Sequence, residues 1–380
     1  MKKILIFIDW YLPGYRAGGP IRSVANMVSH LSDRYQFLVV TRDTDYMDPR
    51  PHKEIESNNW NKISDNHSVY YISKDTLSIK KIKEIIKATD FDIVYINGVY
   101  SFYFSILPLV LIRYFYSKTS IVAPRGMLSE QGLGVKSGRK KLFVMIARIF
   151  GLYKKSIIHI TGNTERPDIE NLHLRPRRIC YALNFPPFAV LDNQNKCEKT
   201  SGKLKLVFIA RIAPEKNLLF ALKCLQNTEY KGHIDFDIYG AIYHQDYWNI
   251  CNSVIKDLPE NIQVNYHGQL DNNQVSEVLQ KHHFTFLPTK GESFGHSILE
   301  SFTAGCPVII SDQTPWKDLK DKQIGWDISL DNLELFTSTI QFAIDLNQQQ
   351  YKQMSDKAAE FARNYFDLPQ IVESYTTLFE

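Results

Sequence analysis

Cysteine is scarce in this chain. Cys180, Cys197, Cys224, Cys251 and Cys306 are scattered, odd in number and never spaced C-x-x-C, so neither a disulfide framework nor a zinc site is indicated. The histidines show no H-E-x-x-H spacing, and no metal is expected. No G-x-S-x-G nucleophile elbow and no G-x-x-x-x-G-K-[ST] loop occur. RNA-binding aromatic signatures are absent, and no nucleic-acid partner is expected. Long apolar runs are missing as well. Met1-Lys2-Lys3 leads into Ile4–Ile8, but Asp9 interrupts the run and no small-residue cleavage site follows, so a buried first strand is expected rather than a signal peptide. Phe102–Tyr116 is apolar and aromatic, yet a bilayer span needs roughly 20 apolar residues, and Pro108 and Arg113 break this one. It reads as a buried or interfacial helix.

What is present is ordinary globular composition, 44% hydrophobic and 23% charged, over 380 residues, a length that suits two domains with a sizeable core in each. The net charge of +4 hides an asymmetry: residues 1–190 carry 28 Lys and Arg against 16 Asp and Glu, the remainder 17 against 25. A basic half beside an acidic half suggests that one face meets something anionic, with nucleic acid, an anionic membrane and a diphosphate-linked substrate as the candidates on charge alone.

Apolar strands alternate with periodic helices throughout. In the first half Lys3–Asp9, Gln36–Thr41, Ser68–Ile72, Asp92–Asn97, Ser120–Ala123 and Ile157–Thr161 read as strands, with helices at Ile21–Ser32, Ile79–Thr89, Ser101–Tyr116 and Lys140–Tyr153. In the second, strands fall at Leu204–Ala210, Asp235–Tyr239, Ile262–His267, Phe284–Pro288 and Pro307–Ser311, and helices at Leu218–Gln226, Tyr247–Lys256, Asn273–His282 and His296–Ala304. Such alternation predicts α/β architecture with parallel sheets covered on both faces and ligands beyond the carboxyl ends of the strands. A polar linker over 188–203 divides a domain at 1–187 from one at 204–350. The final stretch, 351–380, is expected to form helical segments, broken near Pro369, that pack back toward the first domain.

Chemistry-bearing residues cluster at predicted strand ends. In Gly291-Glu292-Ser293-Phe294-Gly295-His296-Ser297-Ile298-Leu299-Glu300, two carboxylates flank a glycine between a strand and a helix. A helix start offers N–H groups and a positive dipole end to a phosphate, and carboxylates grip hydroxyls. Arg211 and Lys216, five residues apart after another strand, suit a diphosphate clamp, although alone they read better as a surface turn with a Pro-Glu helix start. Gly14–Pro20, with Gly18-Gly19, lets a backbone approach phosphate, but it is not a G-x-G-x-x-G fingerprint. Arg125 in Pro124-Arg125-Gly126 suits an anionic or hydroxyl-rich substrate or caps a turn. Trp316 stacks on a sugar or base or else covers the core. Lys136–Lys155 is basic and amphipathic, fitting a helix on an anionic membrane or a core-facing helix with a solvated basic face.

Taken together these motifs resemble the retaining glycosyltransferases of family 4. Glu292 and Glu300 with Gly295 resemble the family's E-x7-E element, and Arg211 and Lys216 its G-R-x-x-x-E-K-G segment, with Ala210 and Asn217 in place of the glycines. Gly18-Gly19 resembles its N-terminal glycine loop, and Ala304-Gly305-Cys306-Pro307-Val308-Ile309 the run that follows E-x7-E. The chain departs from the family where Pro124-Arg125-Gly126-Met127 replaces a common histidine, and where Ala182-Leu183-Asn184-Phe185 replaces P-N-G-V.

The resemblance implies a GT-B fold, with two Rossmann-like doubly wound domains facing a central cleft. It implies a nucleotide diphosphate sugar, a UDP-sugar by expectation, held by the second domain, and an acceptor held by the first. By that analogy Arg211 and Lys216 neutralise the leaving diphosphate without a metal or other cofactor. Glu292 contacts the donor sugar and Glu300 the ribose, the backbone N–H groups of Gly295, His296 and Ser297 meet phosphate, and Phe294, Gly18 and Gly19 are further donor-binding positions. Arg125 and Gly126 are the acceptor-side positions. The implied reaction moves a hexose or N-acetylhexosamine, with retention, to a glycan acceptor on a lipid diphosphate, as in bacterial polysaccharide or O-antigen assembly. Such an enzyme works in the cytoplasm or on the inner membrane face. A nucleotide-sugar 2-epimerase and a non-catalytic nucleotide-sugar-binding subunit are the alternative readings.

Overall fold

The structure is a computed structural model that describes residues 1–116, 118–128, 137–162, 165–186, 197–226, 229–271, 274–292 and 294–380. Residues 188–196 of the expected linker, together with Lys136 and Ser293, lie outside the described residues. The chain divides into two units, one formed by Met1–Phe188 with Asp367–Glu380, the other by Ala189–Phe366.

The first unit is built on β1 (Lys2–Phe7), β2 (Tyr35–Arg42), β3 (Trp60–Ser64), β4 (His67–Ile72), β5 (Ile93–Asn97), β6 (Thr119–Ala123), β7 (Ser156–Ile160) and β8 (Arg178–Tyr181). They form one sheet in the order β3-β4-β2-β1-β5-β6-β7-β8. Every pairing is parallel except that of β3 with β4. Helices α1 (Gly19–Leu31), α2 (Ile79–Ala88), α3 (Leu107–Phe115), α4 (Ser137–Ile149) and α5 (Glu165–Asn171) connect the strands. A π-helical turn over Phe102–Ile106 precedes α3 within the expected helix Ser101–Tyr116. The central strands are buried on both faces, as parallel strands between helix layers must be: Ile4, Leu5, Ile6 and Phe7 are fully buried.

The second unit carries β9 (Lys203–Ile209), β10 (His233–Tyr239), β11 (Ile262–Tyr266), β12 (Phe284–Leu287), β13 (Val308–Ser311) and β14 (Gly325–Ile328). All pair in parallel, in the order β11-β10-β9-β12-β13-β14. This is the doubly wound order in which the winding reverses between the first and fourth strands, here β9 and β12. Its helices are α6 (Leu218–Gln226), α7 (Gln245–Lys256), α8 (Val275–Gln280), α9 (His296–Thr303), α10 (Leu333–Asp345) and α11 (Gln348–Tyr365).

The last helix, α12 (Leu368–Phe379), returns to the first unit. The break falls at Phe366–Asp367, and Pro369 sits in the first turn of α12, where its missing N–H costs nothing. Tyr375, Leu378 and Phe379 are fully buried there. Lys2 Nζ donates to the Phe379 carbonyl at 3.0 Å and Arg178 to that of Thr377 at 2.7 Å, cations placed on the carbonyl end of a helix.

Candidate functional site

In each sheet the reversal of winding leaves a gap beyond the strands' carboxyl ends, and the loops entering that gap hold the charged and glycine residues. In the second unit these are the loops after β9 and β12, brought side by side because β12 pairs with β9. Their backbones are tied together. Lys290 N–H donates to the Glu215 carbonyl at 2.9 Å, Thr289 Oγ1 to the same carbonyl at 3.1 Å, and Asn217 Nδ2 to that of Pro288 at 2.9 Å. This seam puts Lys216 against Glu292, and the two form an ion pair with side chains only 15% and 14% exposed. Arg211 is more open: it lies 3.6 Å from Glu215 and stacks over Tyr243 with its guanidinium carbon 5.1 Å from the ring centre.

Asn217 adopts a left-handed backbone with φ 61° and ψ 35°. The position keeps a glycine-like conformation, and asparagine is among the few side chains that tolerate it. Gly240, at the end of β10, was not singled out in the sequence. Its φ is 154°, and a Cβ there would lie 1.8 Å from the Ala210 carbonyl oxygen, so only glycine lets β10 pass this close to the loop that carries Arg211.

The Glu292 loop is braced on its other side. Glu292 N–H donates to the Gln313 carbonyl at 3.0 Å. Trp316, 3% exposed, donates from Nε1 to the Phe294 carbonyl at 2.6 Å and packs its ring among Phe302, Phe361 and Tyr365. Of its two expected roles, sugar stacking is therefore corrected in favour of core covering: the indole is walled in by aromatic rings and holds the loop from beneath. Gly295 caps α9 at φ 80°, and a Cβ would come within 3.0 Å of Ile298 and 3.1 Å of Trp316. The first-turn amides of His296 and Ser297 follow it, and Glu300 lies one turn on, on the His296 face of the helix. Phe294 is buried against His296 and Trp316, its ring centre 4.8 Å from the imidazole, so its side chain acts through packing.

In the first unit the reversal lies between β1 and β5. Gly18, at φ 79° and ψ −137°, precedes α1 in a backbone region only glycine enters readily, and Gly19 is the helix's first residue. The loop before them is held by Asp45, whose carboxylate accepts the amides of Tyr15 at 3.0 Å and Arg16 at 3.2 Å. Beside it Asp9, at the carboxyl end of β1, accepts from Ser101 Oγ at 2.8 Å and from Arg42 at 3.3 Å. Burial raises the Asp9 carboxyl above its usual range, against the opposing pull of Ser101 and Arg42.

Arg125 sits in a buried network that sequence reading did not foresee. Its φ is 53°, followed by Gly126 at 73°. The turn aims the guanidinium inward, where Nε donates to Asn97 at 2.8 Å, Nη1 to Asn184 at 2.7 Å and Nη2 to the Tyr95 hydroxyl at 2.9 Å. The Tyr95 hydroxyl in turn donates to His159 Nδ1 at 2.7 Å, and His159 Nε2 donates to the Ala182 carbonyl at 2.8 Å. A carbonyl can only accept, which fixes the tautomer. Burial, then the Arg125 charge, pushes His159 down to about 3, against the pull of the Ala182 hydrogen bond, so it is neutral at ordinary pH. Gly126 N–H donates to Glu165 at 3.3 Å. The signal for this network was faint: single polar residues ending apolar strands.

Two parallel-sheet α/β units of this topology make a GT-B fold. Residues 191–361 match the family model described as glycosyl transferases group 1, so the second unit carries a glycosyltransferase domain. Among curated proteins, the chain is similar to an uncharacterised 41.2 kDa protein in the cps region of Klebsiella pneumoniae, 21% identical over 259 residues that cover 65% of this chain and 67% of that one. Among solved structures it is similar to sucrose-phosphate synthase of Thermosynechococcus elongatus, with TM-score 0.72 and 14% identity over 100% of this chain and 98% of that one. It is also similar to Anabaena HepE in complex with UDP and glucose, with TM-score 0.69 and 13% identity over 99% of each chain.

Proposed function

We propose that this protein is a retaining glycosyltransferase of family 4 that moves a hexose or N-acetylhexosamine from a nucleotide diphosphate sugar, a UDP-sugar by expectation, to a glycan acceptor on a lipid diphosphate. The observation that carries the reading is the second unit's cluster: Arg211, Lys216 and Glu292 beside the Gly295-capped start of α9, at the reversal point of a glycosyltransferase domain. In it Arg211 and Lys216 stabilise charge developing on the departing diphosphate, the work a metal ion does elsewhere. Lys216 is held in place by Glu292, which keeps its second carboxylate oxygen for donor-sugar hydroxyls. The amides of Gly295, His296 and Ser297 receive phosphate and Glu300 the ribose, and Gly18 and Gly19 are proposed as further donor contacts. Arg125 and Gly126 are proposed on the acceptor side, with Arg125 setting the strand ends that shape it. The relative encoded in a cps region supports a surface-polysaccharide setting, and HepE's complex with UDP and glucose supports a UDP-sugar donor. Work on a lipid-linked acceptor puts the enzyme at the inner face of the cytoplasmic membrane.

A thermal-shift screen of nucleotide sugars tests the reading. The true donor raises Tm with the logarithm of its concentration over Kd. A screen in which no nucleotide sugar shifts wild-type Tm more than it shifts Arg211→Ala/Lys216→Ala rejects the proposed clamp.

A further inference from the structure

We propose that the outward face of α4, joined to the end of α3, docks on an anionic lipid bilayer by inserting apolar side chains between its headgroups. The helix inverts the usual rule. Leu142, Met145, Ile146 and Ile149 recur at the spacing i, i+3, i+4, i+7, which in a globular protein turns toward the core. The core side of α4 is instead the narrow one, with Val144 and Ala147 buried and Phe143 packed half-buried. The apolar stripe, with Phe150 and Phe115, stays between 44% and 73% exposed. Tyr114 Oη donates to the Phe150 carbonyl at 3.0 Å, which joins the ends of α3 and α4 into one surface. Contiguous exposed apolar area of this kind marks an interaction site.

Charge selects the occupant. Residues 93–164 contain ten Lys and Arg and a single acid, Glu130. Arg139, Lys141, Arg148, Lys154 and Lys155 are exposed around the stripe. A bilayer with anionic headgroups offers both an apolar interior and a negative surface potential, matching the two halves of this face. A second copy of the chain, meeting itself through the same patch, would bring the same positive charges together. The mode is surface insertion: α4 has 13 residues, and no helix among the described residues is long and apolar enough to cross a membrane.

The inference deepens the proposed function and rests on it for the purpose of docking, since a lipid-linked acceptor is reached from such a surface. Its test needs no sugar donor, so its failure and that of the proposed chemistry are distinguishable. The full-length protein is sedimented with vesicles of phosphatidylcholine with or without phosphatidylglycerol, and its mass in solution is read by light scattering. Wild type is expected to bind the phosphatidylglycerol vesicles, and more weakly as salt is raised. Ile149→Ser with Phe150→Ser should weaken binding at least about tenfold, since each buried methylene contributes about 0.8 kcal/mol. Lys154→Gln with Lys155→Gln should weaken it by a smaller factor and flatten the salt dependence. Neither pair supports the fold from inside, so Tm should hold. Wild type that ignores phosphatidylglycerol vesicles overturns the proposal, as does a double serine variant that keeps its Tm and binds unchanged. A wild-type dimer made monomeric by the serine pair overturns it too, in favour of self-association.

Discussion

The two sheets reverse their winding in the same way and put opposite things in the gap. In the second unit the reversal point is lined by loop side chains: Arg211 is stacked on Tyr243 and half-exposed, and Lys216 and Glu292 are paired and mostly buried. In the first unit the corresponding region turns inward. Asp9, beside the reversal, is occupied by Arg42 and Ser101, while Arg125, one strand further on after β6, gives three N–H groups to Asn97, Asn184 and Tyr95. Similar charged residue types thus do different work according to backbone. The φ of 53° at Arg125 turns a cation onto buried polar partners, whereas the short helical turn Pro214–Lys216 sets one in an ion pair with Glu292. A strand end in an α/β sheet marks where a ligand meets the protein, but the loop conformation decides whether the residue there binds or braces.

If that contrast holds, acid should separate the units first. His67 and His159 of the first unit are pushed down to about 4 and about 3, in both cases chiefly by burial, and His283 of the second to about 4 for the same reason. Their folded-state values lie below the ordinary 6.5, so their stability contribution is complete above pH 6.5 and falls as pH drops toward 4 and 3, because the unfolded chain binds the protons. At pH 5 each histidine withholds up to about 2 kcal/mol. Hydrogen exchange on the whole chain, corrected for intrinsic rates, should show the first unit losing more than the second, since His30 and His52 of the first unit are also lowered by burial. Equal losses break the comparison.

The second unit should instead lose chemistry. Arg211→Ala with Lys216→Ala is expected to lower kcat about 10²-fold or more, since in the proposed reaction the pair acts on charge formed in the transition state. Turnover measured with the donor identified by thermal shift checks this, and an unchanged kcat would mean that these two cations are no more functional than Arg125. Arg125→Met should behave the other way. It leaves Asn97, Asn184 and Tyr95 short of partners and costs about 2 kcal/mol in urea unfolding, with donor affinity intact. Gly295→Ala tests the brace at the helix start. A Cβ at φ 80° between Ile298 and Trp316 should cost about 1 kcal/mol and raise the KM for donor, and an unaltered KM would detach α9 from the donor site.

Much of this was legible in the sequence. The buried parallel strands have unbroken apolar runs, so Lys3–Asp9 and Gln36–Thr41 were placed within two residues of β1 and β2. The strand–glycine–helix pattern around Glu292–Glu300 located α9 to within a residue. What escaped was peripheral or polar. The edge strand β3, Trp60–Ser64, reads WNKIS and has no apolar period to announce it, because water covers much of it. Strand β14, Gly325–Ile328, has four residues and begins at a glycine with φ 148°. Helix α10, Leu333–Asp345, lay beyond the motifs that drew attention.

By itself the sequence determined the two α/β units and the segments where chemistry gathers, because burial imposes local periodicity and sharp turns demand glycine. The tertiary structure alone decided partnership. Lys216 meets Glu292 across 76 positions because β9 and β12 pair and bring their loops together, and His159 on β7 meets Tyr95 on β5 across 64 because the sheet order sets only β6 between them. It also decided the direction of α4, whose apolar stripe is explicit in the sequence while its outward aim follows from the packing of Val144 and Ala147 against the core.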